Sequence, residues 1–296
     1  MVVLRCPPRF FFNEISAYSH NGIMAKARET KVKIDFNRLM REWQAVSDWF
    51  YVGGVGVEEL TPQNGMPDLV FTANGSTAHN GRVIIARYRF PERQQESAVY
   101  ETFFRGRGYE ILNDYIPMPE HFYFEGWGDV ARFGRNLIFT YGVRSNLEAL
   151  PLLQNLFPEK HIIAVKLADA ERIERGEIER ENAMYYHGDL CIFTVPACDS
   201  MAWYGDAISQ SDRVKLHRIP AETFFFTDRE AEAMIANAVA CGNRVALPAG
   251  PRGEHERFQT WLTSRGCEVS VFETSQSLPA GGTLIGCATQ FIEYDA

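Results

Sequence analysis

The sequence lacks the features that define several common protein classes. Its six cysteines include no C-x-x-C pair, and six thiols in 296 residues are too few for a small disulfide-rich domain. No apolar run approaches the length that a membrane-spanning helix needs, and the N-terminus does not have the layout of a signal peptide. We therefore expect a cytoplasmic protein whose thiols are reduced.

Clustered positive charge is also missing. The chain has 30 Lys and Arg against 38 Asp and Glu, a net charge of -8, and its basic residues are scattered. This distribution argues against a nucleic-acid partner and against a membrane surface, whereas a small cationic substrate is compatible with it. Hydrophobic residues make up 46% of the chain, enough for one large domain or two small ones.

Short strands and helices recur along the chain. Apolar spacing predicts a helix over 35–50, and a capping box of Thr227 and Glu230 opens another that runs to about Gly242. The other predicted helices are 91–105, 146–156, 200–209 and 253–264. The predicted strands are 69–72, 82–86, 109–112, 129–133, 137–140, 161–165, 190–195, 214–217, 244–247, 268–271 and 280–290. A period of about 45–60 residues indicates an array or propeller of strand–strand–helix–strand units rather than one doubly wound sheet.

Three further segments have less definite patterns. Phe10-Phe11-Phe12 is typical of a buried strand. Val52-Gly53-Gly54-Val55-Gly56 is superficially like a dinucleotide-binding turn, but it lacks the full spacing, and the acidic pair that follows would face the phosphates. The charged segment 171–181 predicts a solvated helix with i,i+4 ion pairs, and a lid over a site is the alternative.

Cys287 is the candidate nucleophile. It lies between Gly286 and Ala288, small residues that leave space around its sulfur, in a predicted last strand that begins after two glycines. A thiol becomes a strong nucleophile when a base or a positive field holds it as thiolate. The alternative is a buried cysteine that simply fills the core.

Three other stretches combine polar residues with strand ends: 67–74, 124–129 and 185–189. In the last stretch, His187 and Asp189 would share one face of a strand. They could be zinc ligands, but no third His or Cys lies at the usual ligand spacing. Covalent catalysis fits better, with His187 as acid and then base and the carboxylates holding a cation. Guanidinium suits such a set because it carries five N–H donors in a rigid fork.

The order of the motifs resembles the guanidino-group-modifying superfamily with the pentein fold. This superfamily includes arginine deiminases, dimethylarginine dimethylaminohydrolases, amidinotransferases and arginine dihydrolases. The motifs that carry the resemblance are Phe71-Thr72-Ala73-Asn74, Arg87 with Pro91-Glu92-Arg93-Gln94, Glu125-Gly126-Trp127-Gly128-Asp129, Arg144-Ser145-Asn146, His187-Gly188-Asp189, and Gly281-Gly282 to Cys287. The resemblance implies an α/β fold in one domain over 1–296, a pentein propeller of five ββαβ units around a pseudo-five-fold axis.

The resemblance also implies roles for individual residues and a site in the central channel. Cys287 would attack the guanidino carbon and form a covalent thiouronium, and no metal or organic cofactor would be needed. The implied catalytic residues are Cys287, His187 as general acid/base and Glu125, which binds guanidinium and orients the histidine. The implied substrate-binding residues are Asn74, Asp189, Phe71 and Asp68, with Arg87 and Arg144 as anchors for the substrate carboxylate.

Asn74 is the main departure from the family pattern. Deiminases and dimethylarginine hydrolases have an acidic residue there, whereas arginine dihydrolases share Phe-Thr-Ala-Asn. We therefore expect a dihydrolase-like hydrolase that converts arginine to ornithine, carbon dioxide and ammonia. The alternatives are a dimethylarginine dimethylaminohydrolase or deiminase that forms citrulline, an amidinotransferase, and a non-catalytic pentein binding protein. A small guanidino compound is the expected partner, and homo-oligomerisation is left open.

Overall fold

A computed structural model describes residues 1–10, 21–116 and 119–293. This part of the chain contains fifteen strands arranged in five three-stranded sheets. The strands are β1 (Val2–Arg5), β2 (Gly56–Glu59), β3 (Ser76–His79), β4 (Arg82–Ile85), β5 (Glu110–Ile111), β6 (Val130–Phe133), β7 (Asn136–Tyr141), β8 (His161–Lys166), β9 (Ile192–Val195), β10 (Ser200–Trp203), β11 (Glu222–Phe225), β12 (Val239–Cys241), β13 (Arg244–Pro248), β14 (Glu268–Phe272) and β15 (Gln290–Glu293).

All five sheets have the same topology. In each, the middle strand pairs antiparallel with one neighbour and parallel with the other. A tight hairpin can supply the antiparallel partner, but a parallel partner requires a crossover connection. Four sheets follow chain order, β3-β4-β5, β6-β7-β8, β9-β10-β11 and β12-β13-β14, and each is a ββαβ unit.

The remaining sheet joins the two ends of the described chain. Strand β1 pairs antiparallel with β15 and parallel with β2, so β15 takes the place that the first hairpin strand has in the other units. This unit, counted as the first, is therefore assembled from both ends, and its pairing closes the ring of sheets. The units that begin at β3, β6, β9 and β12 are the second, third, fourth and fifth.

The helices form the crossovers and some of the connections between units. They are α1 (Gly22–Glu29), α2 (Phe36–Val52), α3 (Pro91–Gln94), α4 (Glu96–Gly106), α5 (Leu150–Leu156), α6 (Ala168–Glu174), α7 (Arg213–His217), α8 (Asp228–Glu232) and α9 (Glu256–Ser264). The predicted capping box at α8 is confirmed, since Thr227 and Glu230 exchange hydrogen bonds across the first turn. No helix of the described ranges is long and apolar enough to cross a membrane.

Several boundaries predicted from the sequence are wrong. The predicted helix over 200–209 contains β10, whose four residues are all buried; with both faces covered, the alternation that identifies a strand disappears. The predicted strand 214–217 is the one-turn helix α7, too short to show a helical period. Residues 69–72 form 3₁₀ turns, and the last strand begins at Gln290 rather than before Cys287.

Two further segments predicted from the sequence can be compared with the structure. In the charged segment 171–181 the α-helix α6 ends at Glu174, and a 3₁₀ turn begins only at Arg180. Arg175 pairs with Glu171 and Glu177. The predicted strand at Phe10-Phe11-Phe12 falls largely on residues 11–20, which lie outside the described residues.

Arg5, the last residue of β1, connects the ring closure to the candidate nucleophile. It is fully buried and donates to the carbonyls of Trp43 in α2, Leu284 and Ala288 and to the hydroxyl of Ser47. The two carbonyls near residue 287 are thereby held against the first strand.

Replacing Arg5 with alanine should destabilise the fold by about 3 kcal/mol, because several buried acceptors would lose their donor. Chemical denaturation of the purified variant measures this loss. Arg9→Ala is the matched control, since Arg9 is exposed, and it should change the free energy of unfolding by less than about 0.5 kcal/mol. Equal effects of the two substitutions would contradict the structural role assigned to Arg5.

Candidate active site

The segments that precede the first strand of each unit converge at the centre of the ring. Each contributes one polar side chain or nucleophile to a shared cluster of hydrogen bonds. Asn74 precedes β3, Glu125 precedes β6, His187 precedes β9, Asn237 precedes β12 and Cys287 precedes β15. The repeated topology therefore brings residues from distant parts of the sequence together.

His187 and Glu125 form the centre of this cluster. Both are buried, and His187 Nε2 lies 2.9 Å from Glu125 Oε2. Arg144 Nη1 lies 3.4 Å from the same carboxylate oxygen, and the backbone N–H of Arg89 donates to Oε1 at 3.2 Å. Burial alone would raise the pKa of Glu125, but the charges of Arg144 and His187 and the hydrogen bond to His187 outweigh it and hold the pKa well below its ordinary value.

The other ring nitrogen of His187 faces Asn74, with Nδ1 3.4 Å from Asn74 Nδ2. Arg93 Nη1 donates to Asn74 Oδ1 at 3.0 Å and so orients the amide, because a guanidinium can only donate. The amide nitrogen must then donate to His187 Nδ1, which leaves the Nε2 proton for Glu125. Arg93 itself is held by a buried bidentate pair with Glu96, at 2.9 and 2.8 Å.

Cys287 is held through its backbone. Its N–H donates to Asn237 Oδ1 at 3.0 Å, and its carbonyl accepts from the N–H of Ala73 at 3.0 Å. Its sulfur lies 3.3 Å from Asp189 Oδ2. Among the described residues, Asp189 Oδ1 has no hydrogen-bond partner, so this oxygen can accept a hydrogen bond from a group that lies beside the sulfur.

The electrostatics of this pair favour the neutral thiol when no cation is bound. Burial, the charge of Asp189 and the hydrogen bond to that carboxylate raise the pKa of Cys287 well above its ordinary value. Burial also raises the pKa of Asp189 to about 6, against the lowering influence of His187. A positive group that entered between them would reverse both effects, because it favours thiolate and carboxylate together.

Two glycines permit these contacts. A Cβ on Gly128 would lie 2.4 Å from Asn74 Nδ2, and a Cβ on Gly282 would lie 2.8 Å from the Phe71 ring and 3.1 Å from Cys287 Sγ. Any side chain at either position would therefore displace a site residue.

The pocket in front of Cys287 is small, about 20 Å³, so its lining side chains lie close to any group that enters. Six of the predicted site residues line it: Asp68, Phe71, Asn74, Arg144, His187 and Cys287. Glu125 lies behind His187, and Asp189 meets the sulfur.

Arg87 does not reach the pocket, which corrects its predicted placement. Its side chain is exposed, and its Nη1 lies 3.4 Å from the carbonyl of Pro119. Its backbone forms an isolated antiparallel bridge with Phe124. Arg93 lines the pocket together with Arg144.

Sequence reasoning missed three residues of this site. Arg93 belongs to the motif Pro91-Glu92-Arg93-Gln94. Glu96 follows it by three residues, the spacing of an ion pair on one helical face, and this spacing could have identified it. Asn21 lines the pocket and caps α1, where an asparagine before a helix is the usual signal. Asn237, surrounded by small apolar residues, carries no such signal.

The alternative role of His187 and Asp189 is as zinc ligands. Over the described ranges, no three or more His, Cys, Asp or Glu side chains cluster so that they could hold an ion.

No protein-family profile matches the chain, but individual proteins do. A dimethylarginine dimethylaminohydrolase of Mycobacterium tuberculosis is 25% identical over 284 residues, 96% of this chain and 83% of that protein. The bifunctional arginine dihydrolase/ornithine cyclodeaminase AgrE of Nostoc sp. is 27% identical over 285 residues, 94% of this chain. The match covers only 36% of AgrE, so this chain spans about a third of that relative. The chain is therefore similar in sequence both to a dimethylarginine dimethylaminohydrolase and to an arginine dihydrolase.

Solved structures show the same fold. The N-terminal domain of ArgZ, solved with a covalently bound reaction intermediate, has a TM-score of 0.81 at 24% identity and covers 99% of this chain and 97% of that one. A dimethylarginine dimethylaminohydrolase adduct has a TM-score of 0.71 at 16% identity, with 98% of each chain covered. The expected architecture of five units is therefore confirmed.

Replacing Asp189 with asparagine should speed alkylation of Cys287 by iodoacetamide at neutral pH. At pH 7 the carboxylate, whose pKa is about 6, is mostly charged and suppresses the thiolate. Removing that charge should lower the thiol pKa and so increase the thiolate fraction, which should raise the alkylation rate several-fold.

The alkylation rate is measured by mass spectrometry of the peptide that contains Cys287. Asp68→Asn is the control, because Asp68 lines the same pocket whereas the sulfur of Cys287 lies against Asp189. A slower reaction in Asp189→Asn than in the unaltered protein would contradict this electrostatic account.

Proposed function

We propose that this protein is a cysteine hydrolase that cleaves guanidino C–N bonds of arginine or an arginine derivative. The preferred reaction is that of an arginine dihydrolase, in which arginine and two water molecules give ornithine, carbon dioxide and two molecules of ammonia. The observation that carries the proposal is a buried thiol in contact with one carboxylate, in a pocket shared with a histidine that a second carboxylate orients. Relationship to proteins named for arginine and dimethylarginine hydrolysis supports it.

Substrate binding follows from the unpaired acceptor beside the sulfur. A guanidinium group that enters beside Cys287 would find an acceptor for its N–H groups in Asp189 Oδ1, and the charge of Glu125 behind His187 would attract it from the other side. These two carboxylates would favour a position of the planar group in which its central carbon faces Cys287. The substrate cation then lowers the pKa of the thiol, so that the nucleophile forms only when a substrate is present.

The first round begins when His187 takes the thiol proton as Cys287 attacks the guanidino carbon. The imidazolium that results is stabilised by Glu125, and it protonates the leaving nitrogen as the C–N bond breaks. The sulfur retains the carbon as a thiouronium. His187 then removes a proton from water, which attacks the same carbon, and the C–S bond breaks to release a ureido product.

The amino-acid end of the substrate needs a cationic anchor, and we assign this role to Arg93 in place of Arg87. Arg93 lines the pocket, whereas Arg87 is exposed. Arg144 also lines the pocket, and its contact with Glu125 makes it both a candidate anchor and a support for the carboxylate.

Asn74 favours a second round of hydrolysis. The ureido group of citrulline is neutral and carries a carbonyl oxygen that needs a donor. An asparagine amide has two N–H groups, of which one points at His187, whereas a carboxylate at this position could only accept. Hydrolysis of dimethylarginine to citrulline is the second candidate, favoured by the similarity to the mycobacterial protein.

The test incubates the protein separately with arginine, methylated arginines and agmatine and measures ammonia, ornithine and citrulline. We expect ornithine and ammonia from arginine, and an adduct on Cys287 in the mass spectrum of rapidly quenched samples. Cys287→Ser should lower turnover at least about a thousandfold, and Cys241→Ser, at a buried cysteine outside the pocket, should not. No product from any of these guanidines, or full turnover by Cys287→Ser, would overturn the proposal.

Asn74→Asp should shift the products of arginine toward citrulline. The ratio of ornithine to citrulline should fall about tenfold, because the second round loses its donor to the ureido oxygen while the first round keeps its carboxylates. Asn155→Asp makes the same chemical change at an exposed position and should leave the ratio unaltered. An unchanged ratio in active Asn74→Asp enzyme would exclude this role for the amide.

A further inference from the structure

Two cysteines outside the candidate active site lie against each other between two units of the ring. Cys198 follows β9 in the fourth unit, in the turn that leads into β10. Cys267 directly precedes β14 in the fifth unit. Their sulfur atoms are 2.8 Å apart, although 69 positions separate them in sequence.

The surrounding contacts hold the two units firmly together at this point. Phe258 of α9, in the fifth unit, packs on Phe224 and Phe226 with ring centroids 4.8 and 4.9 Å apart. On the outer side, Arg265 pairs with Glu222 at 2.9 Å. Because both sulfurs lie on segments fixed by these contacts, a covalent bond between them requires little movement of either sheet.

We propose that Cys198 and Cys267 form a reversible disulfide that links the fourth and fifth units under peroxide. Cys198, the more exposed of the two, reacts first: an S–O bond forms, the O–O bond of hydrogen peroxide breaks, and one water leaves. The sulfur of Cys267 then displaces the hydroxyl from this sulfenic acid as a second water. Two thiols and one peroxide thus give one disulfide and two water molecules, and a dithiol reductant reverses the change.

The two thiols differ in burial, and this difference determines which of them is oxidised first. Cys267 is buried, and burial together with its contact to Cys198 raises its pKa to about 12, so it stays protonated at neutral pH. Cys198 is more exposed and meets the oxidant first. A low-reactivity thiol beside an accessible one is the arrangement in which a sulfenic acid is captured as a disulfide.

The disulfide would strengthen a joint between units that both support the site. The fourth unit carries His187 and Asp189 ahead of β9, and the fifth carries Asn237 ahead of β12. Neither Cys198 nor Cys267 lines the pocket, so the bond should stabilise the ring without entering the chemistry.

The experiment exposes the whole protein to hydrogen peroxide, digests it without reduction and maps the peptides by mass spectrometry. The expected product is a Cys198–Cys267 crosslink, with an intact mass lower by two hydrogens and a melting temperature higher by about 5 °C. A dithiol should restore both values. Repeating the treatment in a Cys287→Ser background removes oxidation of the candidate nucleophile from the measurement, so the result does not depend on the proposed activity.

Cys198→Ser should abolish the crosslink and the thermal shift, while Cys241→Ser, at a buried cysteine elsewhere in the fifth unit, should keep both. The crosslink in the unaltered protein is informative even if a variant fails to fold. Peroxide treatment that leaves both thiols free, oxidises Cys198 to sulfinic acid or pairs either cysteine with another partner would overturn the proposal.

Discussion

A buried carboxylate at the centre of the ring is the constraint on which the site depends. Glu125 has no exposed surface, and an isolated charge in such a position would cost several kcal/mol. It stays ionised because Arg144 and His187 both contact the same oxygen and a backbone N–H holds the other. Each partner belongs to a different segment, so one charge fixes the relative positions of several segments.

The same charge balance explains why the thiol of Cys287 stays protonated when the pocket holds no cation. On the side of Cys287 the nearest charged group is Asp189, and no cation of the described residues pairs with that carboxylate. The positive charges lie on the other side, where Arg144 meets Glu125 and Arg93 meets Glu96. In the proposed reaction the substrate supplies the missing cation, which would make activation of the nucleophile and recognition of guanidinium a single event.

The repeated units could be predicted from the sequence because hairpins and crossover helices leave local patterns in apolar spacing. Individual strands were harder to place where both faces are covered, as in β10, or where an element has one turn, as in α7. Arg87 was misplaced for a related reason. Strand-end arginines look alike in sequence, and the exposure of the Arg87 side chain becomes visible only in the folded chain.

The residues that sequence reasoning missed are those that act through their position rather than their chemistry. Asn237 accepts the N–H groups of Cys287 and Thr283, so it fixes the turn that presents the sulfur, yet a lone asparagine predicts no such role. Arg5 does the same from the opposite side by holding the carbonyls of Leu284 and Ala288. The candidate nucleophile is therefore held between the first strand and the fifth unit. Its geometry depends on the ring being closed, because β15, which starts three residues after Cys287, completes the sheet that contains Arg5.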